Sequence, residues 1–184
     1  MKQKNNSKLS TPILFLIFNR LDTTKQVFPE IRKAKPKRLF IAADGPRTKE
    51  EKKKTDAARK YVLDNIDWDC KVKKLFRKDN LGCKYAVSGA IDWFFENVEQ
   101  GIILEDDCLP SQSFFRFCEE LLEKYKNDGR IFSISGNNQM NNSRRIKNSY
   151  YFSNYPLIWG WATWKRAWKH YDVEMRKYEN ANLK

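Results

Sequence analysis

Short apolar runs alternate along the chain with longer segments whose apolar residues recur at helical spacing. The runs predict strands at 12–18, 37–43, 70–76, 101–105 and 131–135. The first, second and fourth runs are apolar at nearly every position, which is typical of strands covered on both faces. The segments between them place apolar residues on one side of a helix, most regularly from Phe114 to Tyr125. This alternation predicts an α/β fold, with a mostly parallel sheet and helices on both faces.

The same pattern gives approximate bounds for the remaining elements. Helices are predicted over about 21–34, 48–65, 85–98 and 114–125, and a further helix ends at Trp168. Tyr150–Phe152 predicts a short strand. The polar segment Asn137–Asn148 predicts a loop, and the chain from Tyr171 onward is polar. We find no internal repeat.

The size of the chain fits one domain. Its 184 residues and 22.0 kDa are enough for a core of its own. We expect a disordered lead-in over residues 1–11 and a single domain over residues 12–184. The apolar run before Asn19 is too short for a signal peptide, and no stretch could cross a bilayer. We therefore expect a cytoplasmic protein, with peripheral attachment at the inner face of the membrane as an option.

The charge balance indicates anionic partners. A net charge of +13, from 36 basic and 23 acidic residues, attracts nucleotides, nucleic acid or an acidic membrane surface. The four cysteines, at 70, 83, 108 and 118, show no metal-binding spacing and predict reduced thiols. Cys108 lies beside an acidic triplet, but we expect it to pack as a small apolar side chain.

Polar residues follow three of the predicted strands directly. Asn19–Arg20 follows the first, Asp44–Gly45 the second, and Glu105–Asp106–Asp107 the run at 101–105. Because the carboxyl ends of parallel strands share the sheet edge where ligands bind, we expect these groups to line one crevice. Each also has a structural explanation: a helix-flanking arginine, an Asp–Gly turn, and an acidic turn before a helix capped by Ser111.

The three adjacent carboxylates point to a cation. Two like charges 4 Å apart repel by about 1 kcal/mol in water and about 4 kcal/mol near a protein surface. A bound divalent ion would reverse that cost, and carboxylate oxygens suit Mg²⁺ or Mn²⁺ better than zinc. In the same crevice, Arg20 could contact a phosphate or a base, and Asp44 could accept from a base N–H or a sugar hydroxyl.

The segment Trp159–Trp164 has two explanations that the sequence leaves open. Aromatic rings stack on the C–H faces of sugars, so Trp159 and Trp161 could form an acceptor or sugar platform. The tryptophans could equally pack a loop and a helix over the sheet. Gly160 favours a tight bend that turns at least one ring outward. Asp172 and Glu174 are acid–base candidates that nothing in the sequence places near the crevice.

Five segments taken together resemble bacterial GT-A-fold nucleotide-diphosphosugar transferases, which are similar to the N-acetylglucosaminyltransferase that opens hybrid N-glycan synthesis. The segments are Phe18–Arg20, Ala43–Gly45, Asn80–Lys84, Ile103–Pro110 and Trp159–Trp164. The resemblance implies a GT-A (Rossmann-like) fold and metal-dependent sugar transfer to a glycan or glycolipid, as in surface polysaccharide synthesis. Members of the family continue beyond the tryptophan segment. The part that brings the acceptor contacts and the catalytic base is therefore expected to be missing here, and the catalytic residue stays unknown.

The resemblance also implies roles for individual residues. The acidic triplet corresponds to the family's DXD-type motif, with Asp107 as the direct ligand of Mn²⁺ or Mg²⁺. Asp106 would lie near the ribose and Lys84 near the base or the diphosphate. The nucleotide-sugar-binding residues expected for a UDP- or GDP-type donor are Arg20, Asp44, Lys84, Glu105 and Asp106.

Three other functions compete with sugar transfer. A non-catalytic nucleotide-sugar-binding domain would keep the same residues. A nucleotidyltransferase would normally show a glycine-rich loop after the first strand, where this chain has Asn19–Asp22. A nucleic-acid-binding module is suggested by the basic and aromatic run at 71–77. However, the basic residues are spread over several predicted helices and the acidic triplet would repel phosphates, so no nucleic acid is expected.

Overall fold

The computed structural model describes residues 8–138 and 148–176, in eleven helices and strands. The strands are β1 (Ile13–Ile17), β2 (Arg38–Ala43), β3 (Lys71–Phe76), β4 (Gln100–Glu105), β5 (Ser133–Ser135) and β6 (Trp161–Trp164). The helices are α1 (Leu21–Ala34), α2 (Lys49–Asp64), α3 (Gly82–Phe95), α4 (Gln112–Lys124) and α5 (Lys165–Trp168). Strands and helices alternate as far as α4, as the hydrophobic pattern predicts.

All six strands form one sheet in the order β3-β2-β1-β4-β6-β5. Strand β1 pairs in parallel with β2 and with β4, and β2 pairs in parallel with β3. Strand β6 pairs antiparallel with both β4 and β5. Strand β1 is buried along its whole length between β2 and β4. The predicted α/β class, with a mostly parallel sheet and helices on both faces, is confirmed.

Side chains of the central strands alternate between two apolar clusters. Ile13, Phe15 and Ile17 point to the face that packs against α1, α2 and α4. Leu14 and Leu16 point to the opposite face, which α3 covers. Because both faces are covered, the central strands have no room for polar side chains until they end. The polar side chains of β1, β2 and β4 therefore lie at or beyond the ends of these strands.

Three differences between the predicted and the observed elements have an identifiable cause in the structure. Trp161–Trp164 forms strand β6, which the sequence did not predict, because its partner Gln100–Ile103 lies about sixty residues away in the chain. Tyr150–Phe152 forms no strand: the Tyr150 hydroxyl instead lies 2.7 Å from that of Tyr125 and accepts from Lys124 Nζ at 2.6 Å. Helix α3 begins at Gly82, three residues before the predicted start, because Gly82 adopts a positive φ of 75° that leads into it.

In the predicted lead-in, residues 1–7 lie outside the described part of the chain. Leu9 is buried, donates its N–H to the Ala34 carbonyl and accepts from the Lys37 N–H, so the ordered domain includes it. Residues 139–147 of the predicted loop and residues 177–184 of the polar tail also lie outside the described residues. Within the described ranges, no helix has both the length and the apolar character needed to span a membrane.

Candidate functional site

Arg20 joins the two aspartates that follow β4. Its Nη1 donates to Asp107 Oδ2 at 2.8 Å and its Nη2 donates to Asp106 Oδ1 at 2.5 Å. The backbone N–H of Phe18 donates to the other Asp106 oxygen at 3.1 Å. Strands β1 and β4 are neighbours, so the loops that follow them meet at the carboxyl edge. The expected proximity of Arg20 and the acidic triplet is thus present in the structure.

The two aspartates differ in exposure. The Asp106 side chain is 2% exposed and that of Asp107 is 44% exposed. Burial raises the pKa of Asp106, while the Phe18 amide and the Arg20 guanidinium oppose that rise. Asp106 therefore ties the ends of β1 and β4 together from within, and Asp107 offers its carboxylate to the surface.

Glu105 is the last residue of β4 and lies on the α3 face by the alternation of the strand. It stands opposite Leu16 in the register and is half-buried. Burial, followed by the charges of Asp107 and Asp106, raises the pKa of its carboxyl. Among the described residues, none donates a hydrogen bond to this carboxyl.

The carboxylate oxygens at this edge suit a hard cation that takes the rest of its ligands from a bound phosphate and from water. Among the residues that the structure describes, no group of three or more His, Cys, Asp or Glu side chains could hold a metal ion by itself. Asp107 offers an exposed carboxylate, one oxygen of which already accepts from Arg20. Magnesium-type ions commonly bind through one or two carboxylates and complete their coordination with substrate phosphates and water. A cation here would bind in that way, together with a phosphate ligand.

Asp44 uses its carboxylate to fix a neighbouring loop. It accepts N–H groups from Gly45 at 2.9 Å, from Leu81 at 3.0 and 3.1 Å, and from Gly82 at 3.1 Å. The Asn80 amide returns a bond to the Gly45 carbonyl at 2.7 Å. The loop after β2 and the loop before α3 are therefore interlocked. Asp44 lies at the expected edge, but backbone groups already occupy much of its hydrogen-bonding capacity.

Gly45 permits this interlock because no side chain could fit there. A Cβ at this position would lie 2.3 Å from both the carbonyl carbon and the carbonyl oxygen of Asp79. We expect Gly45→Ala to lower the free energy of unfolding by about 1–3 kcal/mol, since backbone must move to admit the methyl group. Urea unfolding followed by circular dichroism measures this. Gly129→Ala is the control, because nothing lies within 4 Å of its Cβ position. Equal stability of the two variants would contradict the expectation.

Lys84, in the first turn of α3, is paired with a residue from the far end of the chain. Its Nζ lies 3.0 Å from Glu174 Oε2 and 5.0 Å from the centroid of the Tyr85 ring. The Lys84 side chain is 50% exposed and that of Glu174 is 33% exposed. Glu174, which the sequence could not place, thus contacts one of the residues expected to bind the donor.

A cavity of about 420 Å³ opens beside Asp107. Its apolar floor includes Leu104 and Phe114, and Ser111, Asn137 and Trp159 are among its remaining lining residues. Trp159 is 60% exposed, and Gly160, with a φ of 73°, bends the chain directly after it. The outward ring expected from this glycine is therefore that of Trp159.

Trp161 faces the other side of the sheet. It packs against the apolar cluster under α3, and its ring centroid lies 6.3 Å from that of Trp168. Trp164 is buried and donates its indole N–H to the Leu122 carbonyl at 3.1 Å. Of the two expected platform residues, only Trp159 lines the cavity.

Cys108, beside the acidic triplet, behaves as a packed thiol. Burial raises the pKa of Cys108 to about 11, which agrees with packing rather than reactivity.

A second polar group at the edge was missed by the sequence reasoning. The Glu51 carboxylate accepts from Arg47 and, at 2.8 Å, from the Asn19 side chain. The Arg47 side-chain and backbone hydrogen bonds lower the pKa of Glu51 to about 2. The spacing of Thr48 and Glu51 matches a capping box and could have drawn attention to this glutamate. The group holds Asn19 and the start of α2 in place next to Arg20.

Comparisons with known proteins give distant structural likenesses only. No protein-family model matches the chain, and no curated protein matches it. Among solved structures, a mannosyltransferase from Pyrobaculum calidifontis in complex with GDP-mannose and Mn²⁺ is similar at 12% identity and a TM-score of 0.49, over 71% of this chain and 36% of that one. HddC from Yersinia pseudotuberculosis is similar at 14% identity and a TM-score of 0.42, over 61% and 55% respectively. The chain thus spans about a third and about half of these proteins.

Proposed function

We propose that this chain is the donor-binding domain of a metal-dependent GT-A-type glycosyltransferase. The observation that carries the proposal is Asp107, an exposed carboxylate that Arg20 holds at the carboxyl edge of a parallel sheet, beside a cavity. Ligands of open α/β sheets bind at that edge. The resemblance of five segments to the GT-A family adds the substrate class, a nucleotide-diphosphosugar.

In this proposal, the residues at the carboxyl edge of the sheet each have one role in binding the donor. Asp107 would hold a Mn²⁺ or Mg²⁺ ion, and Arg20 adds a fixed positive charge for the diphosphate. The ion supplies charge neutralisation as negative charge develops on the departing nucleotide. Asp106 fixes Arg20 and the Phe18 backbone. Asp44 fixes the loop before Lys84, and Lys84 itself lies near the diphosphate.

The cavity next to Asp107 is proposed to hold the transferred sugar or the acceptor. Trp159 offers an exposed ring on which the C–H face of a sugar can stack. Ser111 and Asn137 supply hydrogen-bonding groups for hydroxyls. A glycan or lipid-linked acceptor fits this arrangement. The catalytic base stays unassigned, and donor binding without turnover is the second candidate, since no described residue is placed as a base.

The decisive experiment measures thermal stabilisation by UDP and GDP with and without Mn²⁺. We expect one of the two nucleotides to raise the melting temperature with Mn²⁺ and to raise it by a smaller, still measurable amount without it, because repulsion by the carboxylates weakens the binding of a bare diphosphate. Metal-independent stabilisation by an oligonucleotide, lost as salt is raised, would instead support the nucleic-acid alternative. No response to either nucleotide would overturn the proposal.

A further inference from the structure

The last described segment of the chain folds back along α3. Residues 168–174, called the strap here, begin at Trp168, whose indole N–H donates to Asp92 Oδ1 in the third turn of α3 at 2.6 Å. Tyr171 stacks on the Trp168 ring with centroids 4.3 Å apart and an interplanar angle of 14°. The strap then reaches the first turn of α3, where Glu174 meets Lys84. Two polar contacts therefore attach the strap to opposite parts of one helix.

The contact at the first turn pairs the Glu174 carboxylate with Lys84, whose ammonium group lies beside the Tyr85 ring. Lys84 Nζ lies 3.0 Å from Glu174 Oε2. Hydrogen bonds from Lys84 and then from Tyr85 lower the pKa of the Glu174 carboxyl. An ammonium group such as that of Lys84 also binds phosphate oxygens, and here a carboxylate of the chain itself occupies it.

This arrangement belongs to the same edge as the candidate site. Asp44, at the end of β2, binds the N–H groups of Leu81 and Gly82 directly before the turn that carries Lys84. The interlock thus fixes the start of α3 relative to the carboxyl edge of the sheet. A diphosphate bound at that edge carries more negative charge than a single carboxylate and would compete with it.

We propose that the Glu174 carboxylate occupies the phosphate subsite at Lys84 until a diphosphate ligand displaces it. This inference rests on the proposed function and deepens it by naming an internal competitor for the diphosphate at Lys84. An exposed ion pair of this kind is weak enough for a ligand to replace. The competition lowers the apparent affinity for the ligand by the fraction of molecules in which Glu174 is bound.

The test is a comparison of Glu174→Gln with the wild type by isothermal titration calorimetry. In metal-free buffer, we expect inorganic pyrophosphate to bind the variant about two- to fivefold more tightly, a gain within the range of an exposed ion pair. Glu123→Gln is the matched control, because it removes an exposed carboxylate from Lys126 with the same change in net charge. Lys84→Met is expected to weaken pyrophosphate binding and to abolish the gain when combined with Glu174→Gln.

The outcomes separate this inference from the proposed function. Pyrophosphate binding that is equal or weaker in Glu174→Gln overturns the subsite, even where UDP or GDP binds with Mn²⁺. A Lys84-dependent gain for pyrophosphate without any nucleotide binding supports the subsite and overturns the donor-binding proposal. A gain of the same size in Glu123→Gln shows a general effect of net charge and overturns the subsite. If neither pyrophosphate nor a nucleotide binds, both the subsite and the donor-binding proposal are overturned.

Discussion

Asp107→Ala is expected to lower the affinity for UDP or GDP in the presence of Mn²⁺ by about tenfold or more, to the level measured without metal. Asp107 is the only exposed carboxylate of the triplet, because Asp106 is buried and Glu105 is half-buried. The alanine variant therefore removes the side chain through which the protein would hold the cation. Calorimetric titration of the nucleotide at fixed Mn²⁺ measures the effect.

The control for this experiment is Asp69→Ala. Asp69 has a 95% exposed side chain and pairs with Lys8 just before β3, at the opposite edge of the sheet. Its replacement changes the net charge by the same amount, so an effect of overall charge would appear in both variants. Metal-dependent binding that survives in Asp107→Ala would place the cation elsewhere. Affinity lost in both variants alike would point to long-range electrostatics.

Asp106→Ala is expected to lower the free energy of unfolding by about 2–4 kcal/mol. The substitution leaves the Phe18 N–H without its acceptor and removes the buried partner of Arg20. Removing one member of a buried charged pair costs far more than the pair contributes, because the desolvated partner remains. Arg20 is half exposed and keeps Asp107, so the expected loss is shifted about 1 kcal/mol below the roughly 3–5 kcal/mol for a fully buried pair.

The neighbouring aspartate provides the comparison for this prediction. Asp107→Ala removes the other partner of the same arginine at an exposed position, where ion pairs contribute about 0–1 kcal/mol. Asp106→Asn keeps an oxygen that can accept from Phe18, and its stability should lie between the two alanine variants. Urea unfolding followed by tryptophan fluorescence measures all three. A loss in Asp106→Ala no larger than that in Asp107→Ala would show that Asp106 does not tie the strands together.

The sheet and its carboxyl edge could be predicted because they follow from local patterns. Apolar runs with few polar interruptions require cover on both faces, and alternation with helices makes the strands parallel. Once the strands are parallel, Arg20, Asp44 and the acidic triplet must share one edge. The contact between Arg20 and Asp107 then needs only that β1 and β4 be neighbours.

Contacts that depend on distant pairing could not be predicted. Lys84 and Glu174 are separated by 90 residues, and nothing near either one in the sequence specifies the other. The same holds for β6, which is antiparallel and interrupts the α/β alternation. Asp44 shows a different limit: its position was expected, but which hydrogen bonds it accepts depends on the loop before α3. The assigned binding roles of these residues stay predictions.

The two edge strands of the sheet are poorly suited to pairing with a strand of another molecule, which matters when the protein is concentrated. One margin is β3, on which Lys71, Lys73 and Lys74 are exposed, and the other is β5, which is only three residues long. Repulsion between lysines discourages a second molecule from adding its own strand to β3, and β5 is too short to serve as a template. The buried central strands, which would otherwise aggregate readily, are thereby shielded from self-association.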